Sequence, residues 1–88
     1  MARYSMRIKK SAREELESIA IRADRRHLIQ RIDSLADNPW PPGALKLSGL
    51  ELYRIPQGRY CILYTIEDSA LVVHLIKIGD RKNVYRSK

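Results

Sequence analysis

Cysteine is almost missing from this chain of 88 residues. Cys61 is the only one, so neither an intrachain disulfide nor a cysteine-based zinc site can form. Histidine occurs twice, at His27 and His74, and neither has a second histidine, a cysteine or a carboxylate at ligand spacing. No glycine-rich phosphate loop is present and no residue set suits a hydrolase triad, so neither a metal nor a cofactor is expected. Apolar runs stay far short of the roughly 20 residues a membrane span needs. The first residues lack the apolar core of a secretory signal. A cytoplasmic location without membrane contact is therefore the expectation. Internal repeats and low-complexity segments are also absent.

What is present is charge of one sign. Lysine and arginine total 17 against 10 aspartates and glutamates, giving a net charge of +7 and a pI near 9.9. Residues 1–45 carry 9 basic and 6 acidic side chains and residues 46–88 carry 8 and 4, so the charge belongs to a folded surface, not to a basic arm. Such a surface attracts a polyanion: nucleic acid, anionic lipid or an acidic protein. With 44% hydrophobic and 31% charged residues the composition is that of a folded chain. The length allows one domain, residues 1–88, with one modest core.

Hydrophobic spacing gives the elements. Tyr4, Met6 and Ile8 alternate with Arg3, Ser5, Arg7 and Lys9 as in a half-buried strand. Ser11 and Glu14 have capping-box spacing, and a helix near 11–21 should bury Ala12, Leu16, Ile19 and Ala20. Asp24 is placed to cap a second helix over 24–37, with Leu28, Ile29, Ile32 and Leu35 at helical spacing. Asn38-Pro39 ends it, and Trp40 is expected to anchor over the core edge. After Leu45–Leu47, strands follow near Leu52–Pro56, Arg59–Glu67 and Leu71–Ile78, separated by turns at Gln57-Gly58 and Asp68-Ser69. The expected architecture is α+β: an N-terminal strand and an antiparallel two-helix hairpin on one face of a mostly antiparallel four-stranded sheet. The other face would be open to a ligand, with a core of Leu16, Ile19, Leu28, Ile32, Leu35, Ile62, Tyr64, Val73 and Leu75.

Arg54, Arg59, Lys77, Arg81, Lys82 and Arg86 are the cations of the strand region, and Tyr85 follows Arg81 closely. A guanidinium can fork onto a phosphate and a phenol can stack on a base. On strand alternation, Arg59 and Cys61 share one face while Tyr60, Ile62 and Tyr64 share the other. His74, between Val73 and Leu75, reads as a packed or hydrogen-bonded sheet residue, and Cys61 as a small buried hydrophobe. Glu14, Glu15 and Glu17 read as exposed early-helix acids, favourable at the positive dipole end.

Several runs together resemble the RelE/ParE toxin superfamily: Lys46-Leu47-Ser48-Gly49-Leu50, Leu52-Tyr53-Arg54-Ile55, Gly58-Arg59-Tyr60 with Ile62-Leu63-Tyr64, and Lys77-Ile78-Gly79-Asp80-Arg81 with Val84-Tyr85. The RelE branch, with its Gly-x-Arg-x-x-Val-Tyr-like ending, is the nearer fit. The resemblance implies the toxin of a type II toxin–antitoxin pair: a ribosome-dependent endoribonuclease that cleaves mRNA in the A site, stopping translation and growth. Cleavage would be metal-free, by attack of the ribose 2′-hydroxyl on the adjacent phosphate. It implies catalytic roles for Arg54, Arg81 and Tyr85, and RNA contacts from Lys46, Arg59, Lys77, Lys82 and Arg86. The implied partners are an antitoxin with an amphipathic helix and an acidic segment, together with the ribosome and mRNA.

This chain departs from the resemblance at two places. Pro56 and Cys61 stand where active RelE members usually carry cations, and arginine at 54 is a poor general base. Arg59, two residues before Cys61 and roughly 6–7 Å away on the same strand face, could substitute in part. Cys61→Arg would then be expected to raise activity. The departures leave two other readings open: a ParE-like inhibitor of DNA gyrase, and a non-catalytic member that only binds antitoxin or RNA.

Overall fold

The computed structural model describes residues 3–47, 49 and 51–82. Strand β1, Ser5–Ile8, turns Met6 and Ile8 toward the core and leaves Ser5 and Arg7 exposed. Helix α1, Lys10–Glu17, follows at once. The Lys9 N–H donates to the Leu75 carbonyl at 3.0 Å and the Lys9 carbonyl accepts from Arg13 at 3.0 Å, so strand pairing fixes where the helix starts. Lys9 takes the N-cap position without a side-chain cap, and Ser11 lies inside the helix; the expected capping box does not form. The Ser18 hydroxyl turns back onto the Glu15 carbonyl at 2.8 Å and α1 ends at Glu17, four residues short of the expected limit. Ile19 still reaches the core from the connection, whereas Ala20 is exposed.

Helix α2 runs Arg22–Asp37, with Ile21 at the N-cap position and Asp24 in the first turn. It buries Leu28, Ile32, Leu35 and Ala36 and leaves Ile29 about half exposed. Asn38 is extended before Pro39, as expected of a residue preceding proline. Trp40 meets the Tyr4 ring edge-on at 6.0 Å but stays 46% exposed, and Pro39, fully buried, is the residue that anchors the connection.

The remaining strands are β2 (Leu45–Lys46), β3 (Tyr53–Gln57), β4 (Tyr60–Glu67) and β5 (Val72–Asp80), with a 3-10 turn at Asp68–Ala70. They form one sheet in the order β1-β5-β4-β3-β2. It has five strands where four were expected, because the short Leu45–Lys46 segment pairs with Arg54 and Tyr53. β1 is parallel to β5 and the other pairs are antiparallel. Since β1 and β2 lie at opposite edges, the helices joining them cross the whole face between, and α+β is the class. Gly58, at φ 62, makes the tight β3–β4 turn, a conformation that favours glycine.

A register shift between Leu63 and Tyr64 moves the partner from Lys77 to Leu75. This bulge makes Val73, Leu75 and then Ile78 the buried residues of β5, a step strict alternation would not give. The core joins Ala12, Leu16, Ile19, Leu28, Ile32 and Leu35 to Ile55, Ile62, Tyr64, Val73, Leu75 and Ile78; of the residues expected to be buried, Ala20 alone is exposed. Tyr64 stacks on Tyr53 at 5.8 Å, and its hydroxyl donates to the Pro39 carbonyl at 2.8 Å. Burial, and secondarily Tyr53, pushes its phenol up to about 12.

Leu28→Ala or Ile62→Ala is expected to cost about 2–5 kcal/mol, measured by urea denaturation. The folded Tyr64 holds its proton above the ordinary phenol value near 10. Stability should therefore be unaffected by this group below about pH 10 and fall between about pH 10 and 12. Tyr64→Phe should remove that part of the alkaline loss. At neutral pH it should cost about 1–3 kcal/mol, because the Pro39 carbonyl loses its donor.

Candidate functional site

The β3–β4 turn and the end of β5 converge at one corner of the sheet. The Arg81 N–H donates to the Arg59 carbonyl at 3.0 Å, and its guanidinium donates to the Gly58 carbonyl at 3.3 Å. Arg81 is thus stapled to the turn by backbone and side chain together. The Asp80 carboxylate accepts the Lys82 N–H at 2.8 Å and stands 3.8 Å from the Arg59 guanidinium. Arg59 also lies over the Tyr60 ring, 5.9 Å from its centre. Arg59, Asp80, Arg81 and Lys82 line a cleft of about 630 Å³. Three cations around one carboxylate leave an excess of positive charge, the arrangement a phosphate needs.

The other candidates lie elsewhere. Arg54 pairs in register with Leu63 on β4, whose β5 partner is Lys77; Arg81 is four residues farther along. Strand rise and spacing put the Arg54 and Arg81 Cα atoms roughly 16 Å apart. Lys46 is exposed and bonds Glu51 at 3.1 Å, and that hydrogen bond holds its ammonium above the ordinary value. Lys77 is tied to Glu15 of α1 at 2.8 Å, outside the cleft. Tyr85 and Arg86 lie outside the described residues. His74 bonds Glu67 at 3.1 Å, and His27 lines a shallow polar hollow with Gln30, Arg31, Ser34 and Gln57. Among the described residues no His, Cys, Asp and Glu side chains cluster as a metal ligand set would, and no helix is long and apolar enough to cross a membrane.

Two acids give this corner its form, and one of them, Glu15, is not the exposed early-helix acid the sequence suggested but is half-buried against β5. Asp80 stands beside the Arg59 guanidinium and fixes the Lys82 backbone through its N–H. Glu15 accepts from the Ile78 N–H at 2.9 Å as well as from Lys77, fixing the last part of β5. A signal for Glu15 did exist: positions 12, 15, 16 and 19 form one helical stripe, and a carboxylate within an apolar stripe needs a donor.

Pro56 and Cys61 are direct cross-strand partners. Cys61 is fully buried and Leu63 nearly so, with Leu47 and Leu52 packed against them. The sheet face away from the helices is thus apolar at its centre and not open throughout, and its described cleft cations stand at the end.

A family model described as the ParE toxin of the type II toxin–antitoxin system parDE matches residues 6–85. No curated protein sequence matches. Among solved structures, the archaeal RelE–RelB complex from Pyrococcus horikoshii is similar at 27% identity and TM-score 0.79, over 89% of this chain and 94% of that one. The isolated Escherichia coli RelE toxin gives 24% identity and TM-score 0.76, over 94% and 92%. The RelBE2 complex of Mycobacterium tuberculosis gives 20% and 0.75, over 91% and 100%; these last two likenesses concern the fold. The domain is therefore a small α+β toxin fold. The chain belongs to the ParE toxin family of type II toxin–antitoxin systems, within the RelE/ParE superfamily, and its backbone is RelE-like.

Burial also changes the expectation for Cys61. An arginine there enters a fully enclosed position beside Leu63, so Cys61→Arg is expected to lose more than about 2 kcal/mol of stability in place of a simple gain in activity. Cys61→Val should cost less than about 1.5 kcal/mol. Urea denaturation of the two variants measures both.

Proposed function

We propose that this chain is a toxin that cleaves ribosome-bound mRNA, using the strand-end cleft to hold the scissile phosphate. The observation that carries this reading is the convergence of Arg59, Arg81 and Lys82 around Asp80. In this mechanism the ribose 2′-hydroxyl attacks the adjacent phosphorus and the 5′-oxygen leaves, giving a 2′,3′-cyclic phosphate and a free 5′-hydroxyl. Arg81, held by the Gly58 carbonyl, and Arg59 offset the charge that develops on the phosphorane. Asp80 holds Arg59 at the cleft by charge and fixes the backbone that carries Lys82. Arg54, farther along the sheet, engages a neighbouring phosphate, and Tyr85 stacks on the base or takes the 2′-hydroxyl proton. An antitoxin with an amphipathic helix and an acidic segment is the partner, in line with the RelB-bound state of the Pyrococcus horikoshii toxin.

A second reading, inhibition of DNA gyrase, is favoured by the ParE family match and by the apolar Pro56–Cys61 pair where the resemblance places cations. Incubation with ribosomes programmed with mRNA, mapped by primer extension, should yield cuts bearing cyclic phosphate ends. Arg81→Ala should slow cleavage by about 10²–10³-fold while the far-ultraviolet circular dichroism stays unchanged. Intact mRNA together with inhibited gyrase supercoiling would replace this reading with the second.

A further inference from the structure

The first thirteen residues hold five cations and no carboxylate. Arg3 is bound by Asp33 and Asp37 of α2 at 2.6 and 2.7 Å. Arg7, Lys9, Lys10 and Arg13 are exposed and form no ion pair among the described residues. Glu14 and Glu15 follow Arg13 directly but form no ion pair with it, and Glu14 and Glu17 stand one helical turn past Lys10 and Arg13 without pairing to them. Because Met6 and Ile8 turn toward the helices, Arg7 and Lys9 stand on the opposite sheet face, about 7 Å apart by strand rise. Arg7 is in register with His74. Arg7, Ile8, Lys9, His74, Leu75 and Ile76 line a second hollow of about 280 Å³.

The chemistry of this edge selects its ligand. Ile8 and Ile76 are only half-exposed and Leu75 is buried, and none of the exposed large hydrophobics, Ile21, Ile29, Trp40, Leu45 and Leu71, lines the hollow, so the charges of Arg7 and Lys9 and not an apolar surface stand outermost. Apart from the imidazole bound to Glu67, no aromatic ring lines it, so unpaired bases would find no stacking platform. What the edge offers is a row of cations at a spacing comparable with successive phosphates. We propose that the β1 edge is a second phosphodiester-binding surface, taking the backbone of base-paired RNA independently of the cleft. His74 and Asp80 are six residues apart on β5, so the two sites are separated by about 20 Å. The choice of RNA as the polyanion rests on the proposed mRNA-directed function; the cation row does not.

Fluorescence anisotropy with a short 2′-O-methyl RNA duplex, which cannot be cleaved by 2′-hydroxyl attack, separates the two. The double substitution Arg7→Gln with Lys9→Gln should weaken binding about tenfold and lower the salt slope by about two. Arg26→Gln, on α2, should leave both unchanged. Equal affinity and slope for the double variant and the wild type would overturn the proposal, as would failure of the wild type to bind the duplex. Equal wild-type affinity for poly-glutamate would overturn it in favour of an acidic protein partner. Loss of mRNA cleavage with duplex binding retained would remove the proposed function and leave this surface standing.

Discussion

A single carboxylate resolves a problem that the sheet topology creates. β1 stops pairing at Ile8 opposite Leu75, while β5 continues to Asp80. Beyond that point one edge of β5 has no strand beside it. Glu15 fills the gap, accepting the Ile78 N–H at 2.9 Å and the Lys77 ammonium at 2.8 Å. An unmet donor in such a position costs about 1–3 kcal/mol. The end of β5 carries Asp80 and Arg81, so the geometry of the cleft depends on this contact from α1.

The two faces of the sheet are built for different purposes. One is covered from edge to edge by the helices and holds nearly all of the core. The other has only a thin apolar centre in which Pro56 and Cys61 face one another, backed by Leu63, Leu47 and Leu52. A proline and a buried thiol as cross-strand partners form one matched unit, not two separate lapses in a cationic surface. Apart from Arg54, in register with Leu63, positive charge is displaced to the margins: Arg59, Arg81 and Lys82 at the end of the strands, Arg7 and Lys9 along β1. A polyanion laid on this face would therefore be held at its borders.

Most of the fold was legible in the sequence because burial imposes period. The helical stripes through Leu16 and through Leu28, Ile32 and Leu35 gave the helices, and alternation about Ile62 and Tyr64 gave the central strand. Boundaries were less legible. Ser11 and Asp24 had capping chemistry, but strand pairing at Lys9 and the packing of Ile19 decided where the helices begin and end. The two-residue β2 was too short to show a period, and the bulge that brings Ile78 inward breaks the very alternation used to find strands. At the site, the cations were visible as residue types. Their partners were not, since Glu15 to Lys77 and Asp80 to Arg59 are tertiary contacts, and only the carboxylate in the α1 stripe hinted at one of them.

The central claim is that the scissile phosphate is held at the strand-end corner of Arg59, Asp80, Arg81 and Lys82, with Arg54 as a second contact, and not on the Pro56–Cys61 pair. Backbone amide shifts during titration with a short single-stranded 2′-O-methyl RNA test it directly. The largest changes are expected at Gly58, Arg59 and Asp80–Lys82, with a smaller one at Arg54 and almost none at Cys61. Changes centred on Cys61, with Gly58, Arg59 and Asp80–Lys82 unmoved, would contradict it.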